Sequence, residues 1–494
     1  MKIGSCMTTS SVESDMPGSR WGTPHLWAVA LAACGGQFLV VLDVSVVNVA
    51  LPSMRTDLGL SEVGLQWVAN LYALTFAGFL LLGGRTADLF GRRRMFLVGL
   101  GLFAAASLAG GLAQEPWQLL GARAVQGIGA AVLAPATLTM LTTSFPHGAA
   151  RTRAVGTWTA VGAGGGAAGG LFGGVLTDLL SWRWVLLINV PIGVLVLIAT
   201  VVWVAESGES DRAARGRLDV PGALLVTVGL GTLAYGIVRT ESLGWAAVGS
   251  LLPLLGGLAL LGVFVAVEAR TAAPLVPLRL FRRRLVSVAN VAMLVCGGAM
   301  VAMWYFMSLY MQNVLRYTPL EAGLGFLSQS MSIILGSKLA PRLMHAVGAR
   351  YLTMAGTAVS GVGFLWESGG MHTAGGYLAT VLGPGVLMAF GSGLALTPLA
   401  AVATAGAAPG ETGLVSGLIN TSRTMGGALG LAVLSTAAAS RSAGSENAPA
   451  LVTGYALAFQ IGGLALLACA VAMLFALPAR AGAGSGPTTP VSSG

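Results

Sequence analysis

Asp43 is a carboxylate inside the first long apolar run, Trp27 to Pro52. An acidic side chain at membrane depth costs about 2.5–3.5 kcal/mol on insertion scales, so such residues usually face a bundle interior. A carboxylate held there can bind a cation, or it can take up and release a proton, since burial raises its affinity for one. Read along the sequence, no other acid sits so deep in an apolar segment, which makes Asp43 the leading candidate for a proton carrier. Arg123, just inside a later apolar run, is the second such group. A buried arginine needs a carboxylate or a carbonyl to bond; the alternative is a side chain that snorkels to the interface. Gly127, Ala130 and Ala134 follow it on one helical face, where small residues admit a neighbouring helix.

Around a helix through the first run, Gln37, Ser45 and Asn48 share one arc, and Asp43 lies about 120° round from Gln37. Both faces cannot point equally at a central cavity. Asp43 is therefore either the proton carrier or a hydrogen-bond partner that locks two helices. Gln37, Asn48 and Gln126 are candidate polar anchors of a cavity, with Trp304 and Tyr305 as aromatic walls. Trp67, Tyr72, Tyr310, Met300, Met303 and Met307 belong to the same aromatic and methionine stripes, whose simpler reading is packing. Arg423 is a candidate partner for a substrate or for another helix.

The elements that must position these residues follow from composition. The chain has 494 residues, 55% of them hydrophobic and 9% charged, with a mean hydropathy of +0.80. Soluble domains carry about 25% charged residues, so this is an all-α polytopic membrane protein. Breaks at charge and Pro/Gly clusters predict fourteen spans: 27–52, 65–84, 95–114, 118–142, 154–178, 184–204, 219–238, 245–267, 286–311, 321–337, 351–368, 376–404, 413–437 and 452–478.

With the N-terminus inside, 20 of the 27 Lys+Arg fall in cytoplasmic segments, among them Arg92 to Arg94 and Arg282 to Arg284. The net charge of +9 is thus a matter of membrane orientation, and no nucleic-acid partner is expected. The N-terminal tail is polar and Ser-rich, without a signal peptide's apolar stretch and cleavage site. Cys6, Cys34, Cys296 and Cys469 show no paired spacing, and no metal-ligand pair, Gly-Lys-Ser/Thr phosphate loop or nucleophile–base pair occurs. An enzyme, a metal site and ATP-driven transport are not expected. Long charged connectors bracket spans seven and eight. They suggest a cytoplasmic tail at 1–26, a six-helix bundle at 27–205, two inserted helices with their loops at 206–285, a second six-helix bundle at 286–479 and a tail at 480–494. An echo supports the repeat: Gly84-Arg-Thr-Ala-Asp88-Leu-Phe-Gly91-Arg92-Arg93-Arg94 resembles the stretch from Gly336 to Arg350, each with a glycine expected at a helix end.

The Gly84–Arg94 stretch also resembles the signature loop of the major facilitator superfamily. Leu42-Asp43 to Pro52 is similar to the first span of its fourteen-spanner drug–proton antiporters. Arg123 to Gly129, Trp182-Arg183-Trp184 to Pro191 and Gly417 to Gly427 match further stretches of that branch. The resemblance covers essentially the whole chain. It implies the major-facilitator fold of two six-helix bundles plus two extra central helices, with Asp43 and Arg123 in proton coupling. The loop holding Gly84, Asp88, Gly91, Arg92 and Arg93 becomes a conformational latch; its plain alternative is a solvated, orientation-setting loop. In span five, Gly162, Gly166, Gly170 and Gly174 form one small-residue row, and Gly165, Gly169 and Gly173 a second. They stand where the family carries its antiporter signature, but Gly169-Gly170 replaces the glycine–proline pair, removing a fixed kink. The implied function is a proton-coupled antiporter that exports a hydrophobic or amphiphilic drug or antibiotic across the plasma membrane, driven by the proton gradient without a cofactor. Import of a small metabolite by symport or uniport on the same fold is the alternative. The expected partners are the small-molecule substrate, protons and the bilayer, with both termini cytoplasmic.

Overall fold

The computed structural model describes residues 26–145, 149–204, 218–271, 274–405, 411–442, 445 and 447–476. Both tails, and Arg212, Arg215, Arg217 and Arg480 with them, lie outside the described residues. The helices of the first half are α1 (Leu26–Leu58), α2 (Glu62–Phe90), α3 (Arg92–Gly111), α4 (Pro116–Ser144), α5 (Ala149–Leu179) and a broken pass of α6 (Trp184–Leu187) and α7 (Asn189–Trp203). Two helices follow, α8 (Val220–Leu243) and α9 (Val248–Glu268). The second half holds α10 (Arg284–Leu309), α11 (Pro319–Val347), α12 (Ala349–Gly370), α13 (Gly383–Ala405), α14 (Thr412–Ser442) and α15 (Ala448–Ala476). With α6 and α7 taken as one pass, these make the fourteen crossings expected. Among the described residues, eleven stretches are long and apolar enough to cross a bilayer. The other three, α11, α12 and α14, are richer in small and polar residues and reach the same length inside the bundle.

Local chemistry sets the helix ends. At α11, Thr318, Pro319 and Glu321 form a capping box, with the Glu321 amide donating to Thr318 Oγ1 at 3.2 Å and the Thr318 amide to the Glu321 carboxylate at 2.8 Å. Ser61 caps α2 by accepting the Gly64 amide at 3.1 Å. The α2–α3 and α11–α12 connections are each one glycine: Gly91 at φ 96°, ψ 132° and Gly348 at φ 85°, ψ 151°. A side chain is strained in that region, and the matched pair is the repeat seen in sequence. The repeat differs from expectation in one respect. Gly84 and Gly336 do not end helices, because α2 and α11 run on to Phe90 and Val347. Similarly, α1 continues through Pro52 to Leu58 instead of stopping there.

Within each half the helices pack on one another, and α8–α9 forms a hairpin whose α8 lies against α2 and α14. Its fit on α2 is close: a Cβ at Gly78 would come 1.9 Å from Thr227 Oγ1. The outer face of α9 is apolar and exposed at Leu252, Leu255 and Leu258, as a lipid-facing surface requires. Arg92 to Arg94, Arg151, Arg153, Arg282 to Arg284 and Arg350 gather at one end of the bundle, called here the arginine-rich end.

At the opposite end the halves are joined by hydrogen bonds as well as by apolar packing. Ser308 Oγ donates to the Asn48 carbonyl at 2.8 Å, and Gln312 Nε2 to the Val49 carbonyl at 2.9 Å. Val46, Val49 and Met54 share one apolar cluster with Met303, Phe306, Tyr310 and Phe326 across that seam. The α5 glycines divide their work. Gly165, Gly169 and Gly173 receive α1 of the same half, whereas Gly170 and Gly174 receive Pro319, Leu320 and Gly323 of the other half. A Cβ at Gly174 would sit 2.6 Å from the Pro319 carbonyl oxygen. α5 itself is a single helix with no proline.

Candidate functional site

Five helices of the first half converge on the Asp43 carboxylate. α1 brings Asp43, fully buried at its middle, and α4 brings Arg123 and Gln126, one turn apart on one face. Arg123 Nη1 donates to Asp43 Oδ2 at 2.6 Å and to Gln126 Oε1 at 2.6 Å, and its Nε donates to the Val68 carbonyl at 3.1 Å. The guanidinium also lies 4.3 Å from the centroid of the Tyr72 ring, so α2 contributes a carbonyl and a π face. Gln126 Nε2 donates to Asp43 Oδ1 at 2.7 Å and to Ser107 Oγ of α3 at 2.8 Å.

The fifth contributor comes from the break between α6 and α7. Pro191 lacks the N–H that would close on Leu187, so the helix is interrupted there. Asn189 opens α7 and donates its Nδ2 to Asp43 Oδ1 at 3.0 Å. The carboxylate therefore accepts from Arg123, Gln126 and Asn189. A buried charge needs this, because an ion stripped of water is tolerated only when paired and hydrogen-bonded. Two polar atoms of the cluster have no partner: Asn189 Oδ1 and the Tyr72 hydroxyl.

Asp43 is thus one partner of a buried ion pair, with no exposed surface in this conformation. Two expectations are corrected here. Gln126, expected on a cavity wall, belongs to the shell of Asp43. Nor is Asp43 the only deeply held acid: Glu367 of α12 is fully buried as well. Asn189 and Ser107 were missed as site residues, since an asparagine or serine in an apolar run is unexceptional until its neighbours are known. The two polar faces of α1 are resolved too. Asp43 turns to α4 and α7, while Gln37 and Ser45 lie against Gly162 and Gly169 of α5.

The remaining candidates do not surround one cavity. Asn48 donates to the Val44 carbonyl of its own helix and faces the seam. The Trp304 ring packs on Phe326 at 4.8 Å, and Tyr305 lines a cavity of about 30 Å3 at the opposite end with Arg55, Gln66 and Tyr455. Arg423 borders a larger cavity of about 330 Å3, with Met293, Leu396, Thr397, Ile419 and Asn420, in the parts of α10, α13 and α14 nearer the arginine-rich end. Its Nε and Nη2 donate to Asn420 Oδ1 at 3.3 and 2.9 Å, and among the described residues it forms no ion pair. In the Gly84–Arg94 stretch, Gly84 lies inside α2 against Pro135, Arg92 begins α3, and Arg93 Nη2 donates to the Val201 carbonyl of α7 at 2.9 Å. That bond stays within the first half, and the Asp88 side chain lies outside the described part. Gly166 sits against Val41 and Ser45.

Two packed six-helix halves, a membrane-spanning surface and a charge cluster buried between helices define a membrane transporter, not an enzyme. The chain belongs to the Major Facilitator Superfamily, whose model matches residues 33–431. It is 50% identical to a cephamycin export protein of Amycolatopsis lactamdurans, over 91% of this chain and 92% of that protein. A puromycin resistance protein of Streptomyces alboniger is 38% identical, covering 90% of each chain. A lincomycin resistance protein of Streptomyces lincolnensis is 34% identical, over 96% of this chain and 95% of that one. The fold also matches the crystal structure of a D-xylose-proton symporter, with a TM-score of 0.66 at 14% identity, covering 92% of this chain and 98% of that one.

Proposed function

We propose that this chain is a proton-coupled antiporter that exports a hydrophobic or amphiphilic antibiotic across the plasma membrane by alternating access of its two halves. The observation that carries the reading is the Asp43–Arg123 pair at the centre of the first half. A proton on Asp43 removes one charge of that pair and frees the guanidinium from its strongest partner. Protonation and the packing of α1 on α4 are thereby linked, as coupling requires. The proton gradient is the driving force, with no cofactor.

The orientation follows from charge. Placing the arginine-rich end and both termini in the cytoplasm satisfies the positive-inside preference. The closed opposite end then faces outward, and the cavity beside Arg423 lies towards the cytoplasm, where cargo is loaded. Arg423 has spare donors in a largely apolar cavity, which supports a cargo carrying an acidic group. Cephamycins are the first compounds to test, given the relative's export function, followed by puromycin and lincomycin.

The test is efflux and susceptibility over that panel in cells expressing the chain, with and without a proton uncoupler, for the native protein and Asp43→Asn. Antiport is expected to lower accumulation, to fail with the uncoupler and to fail in Asp43→Asn. Undiminished export by Asp43→Asn against a gradient would overturn the role of the carboxylate. A second reading, import of a metabolite by symport or uniport, draws on one observation, the uninterrupted α5 without the branch's proline. Net uptake in the same assay would favour it.

A further inference from the structure

Glu367 has no part in the cluster around Asp43. It lies in the last turn of α12, fully buried, and neither carboxylate oxygen has a hydrogen-bond partner. Among the described residues no lysine, arginine or histidine forms an ion pair with it. The fully buried Phe364 and Phe459 rings of α12 and α15, 5.3 Å apart, and the Phe306 ring of α10, 6.2 Å from Phe459, make this end of the second half apolar. An isolated carboxylate charge in such a place is very costly. Its position adds to the cost, since the last turn of a helix presents free carbonyls and partial negative charge. A single proton removes the charge, and among the described residues no basic side chain pairs with it to do so.

The backbone near Glu367 departs from regular helix in two places. Residues Tyr310–Val314, at the end of α10, and Leu378–Leu382, leading into α13, are π-helical. The Leu315 amide closes on the Tyr310 carbonyl at 3.0 Å across five residues. Such wide turns are uncommon and frequently mark functional positions. They are tied together: the Tyr310 hydroxyl donates to the His372 carbonyl at 3.0 Å, just beyond the end of α12, and a Cβ at Gly375 would touch both that hydroxyl and Thr380. Tyr310 also lies in the apolar cluster that closes the halves against each other. The buried acid, the two wide turns and the closed seam thus occupy one end of the molecule.

We propose that Glu367 is a proton-binding site that gates the opposite end of the transporter. In the closed arrangement described here the carboxyl carries its proton and sits dry among aromatic rings. When that end opens, the turns at Tyr310–Val314 and Leu378–Leu382 rearrange, water reaches the carboxyl, and the proton passes to that water. Acidity on the opposite side therefore drives closure, and the ligand of the site is the proton itself. The inference rests on the alternation of halves proposed above, but not on the role of Asp43. Among the described residues, the other titratable groups at this end of the elements around Glu367 include Tyr305 and Tyr310, Tyr317, Glu321 of α11, His372 and Tyr377 of the segment after α12, and Tyr455 of α15; Cys296, Arg350, Tyr351 and Cys469 lie further along the same helices. The exposed ring of His372 bonds the Gly370 carbonyl at 2.8 Å.

The experiment uses the purified full chain in lipid nanodiscs. Infrared spectroscopy reads the carbonyl stretch of protonated carboxyls. Spin labels at Gln114→Cys and Thr373→Cys, exposed positions at the opposite end of each half, read its opening, with the chain's own cysteines replaced by serine. The native chain is expected to show a dry protonated-carboxyl band that survives in Asp43→Asn and disappears in Glu367→Gln. Raising the pH should separate the labels in the native chain and in Glu367→Asp, and lose that effect in Glu367→Gln, whose amide imitates the protonated acid. Size-exclusion profiles check that each variant is folded. A band that persists in Glu367→Gln, or labels that separate in it as far as in the native chain, overturns the proposal. Labels that never separate in the native chain under any condition overturn the alternation, and the gate with it. Undiminished export by Asp43→Asn in the efflux assay would bear only on Asp43.

Discussion

At the scale of single residues, the site is one carboxylate with three donors, and its energetics set clear expectations. Arg123→Ala leaves Asp43 buried without its counter-ion, and breaking such a pair costs about 3–5 kcal/mol. Thermal unfolding in detergent should register that loss. The double variant Asp43→Asn with Arg123→Gln should recover much of it, because no uncompensated charge then remains. A single variant as stable as the native chain would mean that the pair is not buried. Asn189→Ala removes one hydrogen bond to a charged group, about 1.5–3 kcal/mol, and should lower the melting temperature less than Arg123→Ala does. Asp43 and Arg123 were legible in the sequence because a charge in an apolar run is anomalous wherever it points. Their pairing was not, since helical periodicity fixes a face of one helix and says nothing of which helix it meets. Glu367 escaped for another reason: near the end of its segment, sequence cannot tell an acid turned to water from one turned inward.

At the scale of elements, glycine decides where helices end and how closely they approach. Gly91 occupies a positive-φ conformation that costs other residues about 1–3 kcal/mol, so Gly91→Ala should lower thermal stability with no loss of helix elsewhere. Gly174 is different, because its lack of a side chain makes room for the other half. Gly174→Leu should hold the opposite end apart, seen as weaker cysteine cross-linking between α5 and α11. Gly121→Leu, at a position where a Cβ would meet no atom within 4 Å, should leave that cross-linking unchanged. The glycine rows of α5 were readable as spacing, and their number implied close packing. That one row serves α1 and part of the other serves α11 was not, because both partners present similar small or backbone surfaces. Helix limits were less legible than helix count: Pro52 and Gly84 resemble stops, yet neighbouring helices hold the chain helical through both.

At the scale of the whole molecule, the sequence pattern of charge and hydropathy was enough for fourteen crossings in two halves. The same pattern leads to a test of orientation. Arg94→Cys at the arginine-rich end and Gln114→Cys at the other are both exposed. In intact cells a membrane-impermeant thiol reagent should label the second and not the first, and the reverse result would invert the transporter in the membrane. What the linear pattern does not contain is the meeting of the halves, which depends on side chains far apart in sequence, such as Asn48 with Ser308.

The placement of the α8–α9 hairpin has a consequence for how an oily compound arrives. A pair of six-helix halves offers two lateral gateways to the surrounding lipid, one along α2 and α14 and one along α5 and α11. Here α8 plugs the first along its length, with Thr227 seated on Gly78 and the Thr436 hydroxyl reaching the Ile237 carbonyl at 3.5 Å. On the export reading proposed above, a cargo moving sideways from the lipid would then have to part α5 from α11, the contact between the halves that the hairpin leaves uncovered.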